Sequence, residues 1–235
     1  MNILVIAAHP DDEVLGCGGT VAALSHQGSH VTILILAQGL TSRPDFDSER
    51  AATQLDLHRA RAQEAGRILG AREVVFGEFP DQKMDTLPLL AITQRIEREI
   101  QRVQPEVIFT HHGGDLNMDH AIVFRATLTA TRPIPGSCVR RVYAYEIASS
   151  TEWAFQQFAP GFQPQVFCDI SATLDRKLAA MRVYESEVRP FPHPRSDEAL
   201  QSQAQRWGAA TGLHAAEAFQ LVREIHSPVR LQAFL

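Results

Sequence analysis

The chain opens on an unbroken apolar run, Ile3-Leu4-Val5-Ile6, of the length and kind that a buried parallel strand requires. Residues 14–27 then read as a helix and 31–37, Val-Thr-Ile-Leu-Ile-Leu-Ala, as a second strand. The polar stretch 38–48, with Gly39 and Pro44, is expected to loop over the same rim as His9. Residues 56–69 give a second helix closed by Gly70 as its C-cap, and 73–76 a third strand. Leu89, Ile92, Ile96, Ile100 and Val103 recur at helical spacing up to Pro105, where a helix must stop. The fourth strand is 107–110. Strands alternating with helices of this size imply right-handed crossovers. The predicted class is α/β, Rossmann-like, with a mostly parallel sheet and helices on both faces.

The second half is patterned less regularly. Residues 139–147 and 165–170 read as strands, with a loop over 153–164 between them. Leu174, Leu178, Met181, Tyr184 and Val188 mark a helix packed by one face, and the proline-rich 189–195 must be a loop. Two helical stretches, 197–211 and 214–225, are expected to cap the sheet. No repeat or linker interrupts the chain. A single domain over 1–235 is expected, its part from about 139 onward supplying extra strands, pocket loops and capping helices.

Composition narrows the function classes. Hydrophobic content of 45% and charged content of 21% describe an ordinary globular protein. A net charge of −5 without a basic tract argues against nucleic-acid binding, and no apolar run is long enough to span a membrane. Met1 leads almost directly into the first strand, which leaves no room for a signal peptide. Cys17, Cys138 and Cys168 are odd in number and scattered, so neither a disulfide framework nor a cysteine zinc site is suggested. The expectation is a cytoplasmic protein with a small-molecule partner; homo-oligomerisation stays open.

The chemistry gathers in two segments. His9-Pro10-Asp11-Asp12-Glu13 follows the first strand, and His111-His112-Gly113-Gly114-Asp115-Leu116-Asn117-Met118-Asp119-His120 follows the fourth. Open α/β sheets bind ligands at the C-terminal strand ends, where the strand order reverses, so neighbouring first and fourth strands would bring both segments to one crevice. His9, Asp12 and His120 then offer two imidazoles and one carboxylate, leaving a divalent zinc with an open position for water, as in hydrolytic sites. Asp11 diverges from Asp12 at the turn and is suited to take a proton from that water, with Pro10 stiffening the turn. An N-cap would account for one of the two aspartates, not for both and a histidine. Gly16, Gly18 and Gly19 lack dinucleotide-loop spacing and are better read as close helix packing.

The run Ala8-His9-Pro10-Asp11-Asp12-Glu13, the Gly16-Cys17-Gly18-Gly19-Thr20 that follows, and the later Asp115-Leu116-Asn117-Met118-Asp119-His120 resemble the LmbE/PIG-L family of zinc-dependent deacetylases. The resemblance covers most of the chain, including Phe79-Pro80-Asp81 and the 184–196 segment with Arg195-Ser196. It implies deacetylation of an N-acetylglucosamine-type sugar or conjugate, metal ligands at His9, Asp12 and His120, and a general base at Asp11. Zinc is the implied ion, with ferrous iron the alternative. One departure stands out: several members carry a histidine where this chain has Asn117. Asparagine can donate to an oxyanion but cannot act as an acid, so His193 or His112 is a candidate stand-in, with Asp11 recycled as proton donor. Arg43, Asp81, His112, Asp115 and Arg195 are candidate substrate contacts; Asp119 and His111 are candidate supports of the ligands. His58 has no partner in sequence and reads as a core or surface residue. The rivals are an amidase acting on another N-acyl compound and a non-catalytic sugar- or nucleotide-binding module.

Overall fold

The computed structural model describes residues 1–39 and 51–226, and for residues 51–52 the backbone only. Its elements in order are β1 (Asn2–Ala7), α1 (Asp12–His26), β2 (His30–Ala37), α2 (Ala51–Leu69), β3 (Glu73–Phe79), α3 (Leu89–Val103), β4 (Val107–His111), α4 (Met118–Ala130), β5 (Arg141–Tyr145), β6 (Val166–Asp169), α5 (Leu174–Val183), α6 (Asp197–Thr211) and β7 (Ala216–Glu224). The strands form one sheet in the order β3-β2-β1-β4-β5-β7-β6. Pairings from β3 through β5 are parallel, while β7 runs antiparallel to both β5 and β6. The expected β1–β4 neighbourhood is present, with Ile3 opposite Val107 and Val5 opposite Phe109.

Alternation along the central strands feeds two apolar layers. Ile3, Val5 and Ala7 join Ile33 and Ile35 under residues of α1, α2, α5 and α6, among them Val14, Ala62, Leu69, Met181 and Leu200. Leu4, Ile6 and Ala8 join Leu34, Leu36 and Ile108 under Ile92 and Ile96 of α3 and Val123 and Ala126 of α4. With both faces covered, β1 is apolar from Ile3 to Ala7, which is why its sequence shows no polar alternation.

Helix α1 is not continuous. Cys17 has φ −148°, breaking the helix and leaving the Leu15 carbonyl and the Gly19 and Thr20 amides to find other partners. Lys177 of α5 donates to Leu15 O at 2.8 Å, and Glu217 of β7 accepts from Gly19 N at 3.0 Å and Thr20 N at 2.7 Å. The two side chains pair with each other at 2.6 Å, both buried. The glycines of this helix meet neighbours that a side chain would strike: a Cβ on Gly16 would lie 2.3 Å from the Tyr145 ring, and one on Gly19 2.8 Å from Ile170.

Two expectations need correction. Residues 214–225 do not form a capping helix; most of that stretch is β7, inserted between β5 and β6. Its alanines favour a helix, but its first four residues are buried on both faces and carry no strand-like alternation. The helix expected to reach Val188 ends as α5 at Val183, after which 184–196 turns back over the sheet's rim.

Candidate metal centre

A cavity of about 190 Å³ opens at the C-terminal ends of the parallel strands. Its wall takes His9, Pro10, Asp11 and Asp12 from the β1–α1 turn, Asp81 and Gln82 from beyond β3, and Asn117 and His120 from beyond β4. Ser149 and Ser150 come from beyond β5, and Glu187 and Arg195 from beyond α5. The turn after β1 is tight: Val14 N and Leu15 N both donate to Asp11 O, and His9 N donates to Asp12 Oδ2 at 2.8 Å. Asp11 adopts φ 108°, ψ −29° at the start of α1, in left-handed space that a residue other than glycine rarely enters.

His9, Asp12 and His120 are brought together in this wall, with one potential ligand atom from each within 4.8 Å of the others. Asp12 Oδ2 lies 3.3 Å from His9 Nδ1 and 3.4 Å from His120 Nε2. Metal bonds of about 2.0–2.1 Å in a tetrahedron place neighbouring ligand atoms roughly 3.3–3.4 Å apart, so both spacings fit one ion. The far nitrogens of both rings face carboxylates: His9 Nε2 is 3.0 Å from Asp119 Oδ2, and His120 Nδ1 is 3.0 Å from Asp115 Oδ1. These partners assign the ring protons to the far sides and leave His9 Nδ1 and His120 Nε2 as lone-pair donors. His120 Nε2 is buried and lacks any hydrogen-bond partner, a vacancy a cation would fill. The chain's donor set therefore suits a divalent ion that takes mixed nitrogen and oxygen ligands.

The supporting carboxylates are themselves fixed. Asp119 accepts from Met84 N at 3.0 Å. Asp115 accepts from Asn117 N at 2.8 Å and from the hydroxyls of Ser150 and Thr151. Burial works to raise the Asp115 carboxyl, but His120 and the two hydroxyls outweigh it and hold it at about 2. Burial likewise opposes charge on His9 and His120, yet Asp119 and Asp12 raise His9 to about 10, and Asp12 and Asp115 raise His120 to about 9. Asp11 is pushed well above the usual carboxylate range by burial, against the pull of Arg195.

Other candidates lie elsewhere than expected. Asp115 and His112 do not line the cavity; His112 bonds to Pro160 O at 2.8 Å and meets the Phe162 ring edge-on. His193 is also off the wall, its Nδ1 accepting from Arg195 N and its ring set edge-on to Trp153. His111 Nε2 accepts from Ala8 N at 2.8 Å, tying the ends of β4 and β1, and burial lowers the ring to about 4. Arg195 lines the cavity, but its Nη1 donates to Asp11 Oδ2 at 2.7 Å. Asp81 lines it too, with Oδ1 3.5 Å from His9 Nε2. Asn117 caps α4 by accepting from Asp119 N at 2.9 Å. With its oxygen so engaged, its amide nitrogen is the end left for another acceptor. Arg43 falls outside the described residues.

Sequence reasoning missed five wall residues: His58, Gln82, Ser149, Ser150 and Glu187. His58 reaches the cavity from α2, packed so closely on Gly39 that a Cβ there would lie 2.8 Å from its Nε2. The Gly39 turn after β2 was the only sequence signal that something bulky approaches the rim there.

The model of the GlcNAc-PI de-N-acetylase (PIG-L) family matches residues 4–131, more than half the chain. The chain belongs to this family. A relative from Bacillus cereus described as a probable N-acetyl-alpha-D-glucosaminyl L-malate deacetylase 2 is 27% identical over 192 residues, 80% of this chain and 84% of its own. Among solved structures, N,N'-diacetylchitobiose deacetylase from Pyrococcus horikoshii superposes with TM-score 0.75 at 21% identity, covering 94% of this chain and 83% of its own. GalB, the 4-carboxy-2-hydroxymuconate hydratase of Pseudomonas putida, gives TM-score 0.76 at 25% identity over 97% and 98%. PIG-L membership agrees with the resemblance read from the two motifs. No helix among the described residues is long and apolar enough to cross a membrane.

Proposed function

We propose that this protein is a metal-dependent amide hydrolase that removes the acetyl group from an N-acetylated amino sugar or sugar conjugate. One observation carries the reading: two carboxylate-backed imidazoles and Asp12 face one point, and Asp11, a carboxylate outside that set, stands on the same wall. Membership in a de-N-acetylase family and a relative named for a glucosaminyl substrate support the sugar class. His9, Asp12 and His120 would hold the ion, zinc in the first place and ferrous iron as the alternative. A divalent ion supplies Lewis acidity, polarising a carbonyl and making water a better nucleophile near neutral pH.

The chain's own groups do the rest. Asp11 takes the proton of the attacking water and returns it to the leaving nitrogen, since Asn117 cannot act as an acid. The Asn117 amide nitrogen donates to the acetyl oxygen as negative charge develops there. Asp81 and Glu187 offer acceptors for sugar hydroxyls. The compartment proposed is the cytoplasm, where Cys17, Cys138 and Cys168 stay reduced.

The hydratase relative raises a second reaction class. Among the described residues, Asp11, Asp12, Asp81 and Glu187 face the cavity against a single guanidinium, Arg195. With a divalent ion on His9, Asp12 and His120 and Asp11 paired to Arg195, it is the match to a de-N-acetylase family that favours an acetamido sugar over a polycarboxylate. The deciding experiment pairs metal analysis with an acetate-release screen over N-acetyl sugars, free and nucleotide-linked. Bound metal near one per chain, and acetate release abolished in Asp11→Asn, are the expected results. Full metal with no acetate from any of them overturns the reading, and water uptake by an unsaturated dicarboxylate would replace it.

A further inference from the structure

Asp11 is held at two points, the first through Glu13 and the second directly, by one stretch of chain that lies beyond the part matched by the family model. Its backbone is the first point. Asp11 N donates to Glu13 Oε2 at 3.0 Å, and the hydroxyl of Tyr184 donates to Glu13 Oε1 at 2.6 Å. A left-handed non-glycine residue is strained and persists only where its surroundings over-determine it. Glu13 and the buried Tyr184 supply that constraint.

The carboxylate is the second point. Arg195 donates from Nη1 to Asp11 Oδ2, while its Nε donates to Ser149 Oγ at 2.8 Å and more weakly to Ala148 O at 3.4 Å. Glu187 Oε2 stands 3.5 Å from the same Nη1, so the guanidinium is set between two carboxylates and anchored from behind by Ser149. Two of its three nitrogens are committed to the protein. A residue kept for substrate would have its donors turned to the cavity instead.

Resting on the hydrolase reading, we propose that the 184–195 segment is the scaffold that aims Asp11, with Arg195 as its positioning residue rather than a substrate contact. Displacing a reacting group by about 1 Å can cost on the order of 10²-fold in rate. Arg195→Met is therefore expected to lower kcat by about 10²-fold with KM and metal content unchanged. Arg195→Lys is expected to fall between, because ammonium cannot reach Asp11 and Ser149 together in a fork. Added guanidinium should restore part of the kcat lost in Arg195→Ala, which a merely structural role would not allow. A raised KM with kcat kept, or no change in either, overturns the proposal.

A second measurement needs no turnover. Melting temperatures of Asp11→Asn, Arg195→Met and the double variant form a cycle for the pair. The double variant is expected to melt no lower than the less stable single. Additive losses overturn the clamp even in a fully active enzyme. A non-additive cycle in a protein that hydrolyses no N-acetyl compound sinks the hydrolase reading instead and leaves Arg195 as the residue that holds Asp11.

Discussion

His9 faces Asp12, Asp81 and Asp119, and His120 faces Asp12 and Asp115, and this sets how the protein must respond to pH and metal. Without a cation, His9 lies at about 10 and His120 at about 9, against 6.5 for an ordinary imidazole. Their contribution to stability is then complete below about 6.5 and is lost as pH rises through 9 to 10. A cation must displace both protons, so metal affinity rises with pH, and uptake at pH 7 releases about two protons per chain. Calorimetry in buffers of different ionisation enthalpy reads that number; release near zero would show that the rings enter neutral. Asn117 separates two duties at one residue. Asn117→Ala loses the cap and about 1 kcal/mol of stability. Asn117→Asp keeps the capping oxygen and removes the donor, so kcat is expected to fall by about 10²–10³-fold with little change in melting. At this scale, His9, Asp11, Asp12 and His120 were legible because two short segments crowd chemically unusual residues beside strands. His58 and Glu187 were not. Each sits alone in its own stretch, and only the tertiary path of α2 and of the turn after α5 carries it to the wall.

Among the elements, α1 departs furthest from what its sequence suggests. Read as one helix, it breaks at Cys17, and the freed backbone groups are met by Lys177 and Glu217 from α5 and β7. Removing one partner of a buried pair leaves the other charged and uncompensated, at a cost of about 3–5 kcal/mol. Glu217→Ala should lose about that much, because two amides of α1 are orphaned along with Lys177; a urea midpoint shift at unchanged slope measures it. A loss below about 1 kcal/mol would show that water replaces the carboxylate there. The break has no local signature, since Gly16-Cys17-Gly18-Gly19 is read equally well as close packing, which Gly16 against Tyr145 and Gly19 against Ile170 bear out. The first four strands were legible because apolar runs between polar turns are distinctive. β7 was misread because its first four residues are buried on both faces by the layers packed over the sheet, which erases the period of two there.

Over the whole molecule, the candidate site is a property of the rim rather than of any one segment. Turns after β1, β3, β4 and β5 and the return after α5 all contribute walls. The switch point between β1 and β4 could be argued from the alternation of strands and helices, whereas the closing of the rim by 184–196 could not, because loops carry no period. The segment matched by the family model, 4–131, contains His9, Asp12 and His120 but neither Arg195 nor the partners of the broken helix. A fragment ending at residue 131 is therefore expected to show no cooperative unfolding and no tight metal uptake, as judged by circular dichroism and metal retention on gel filtration. The strand order carries one more consequence. Among the described residues, β6 bonds to β7 alone, and β7 follows every other strand along the chain. On the ribosome, the growing polypeptide must keep β6 waiting, with the outer edge of β5 uncovered, until β7 slides between them. That interval is when a nascent chain is most open to capture by a chaperone or by its neighbours.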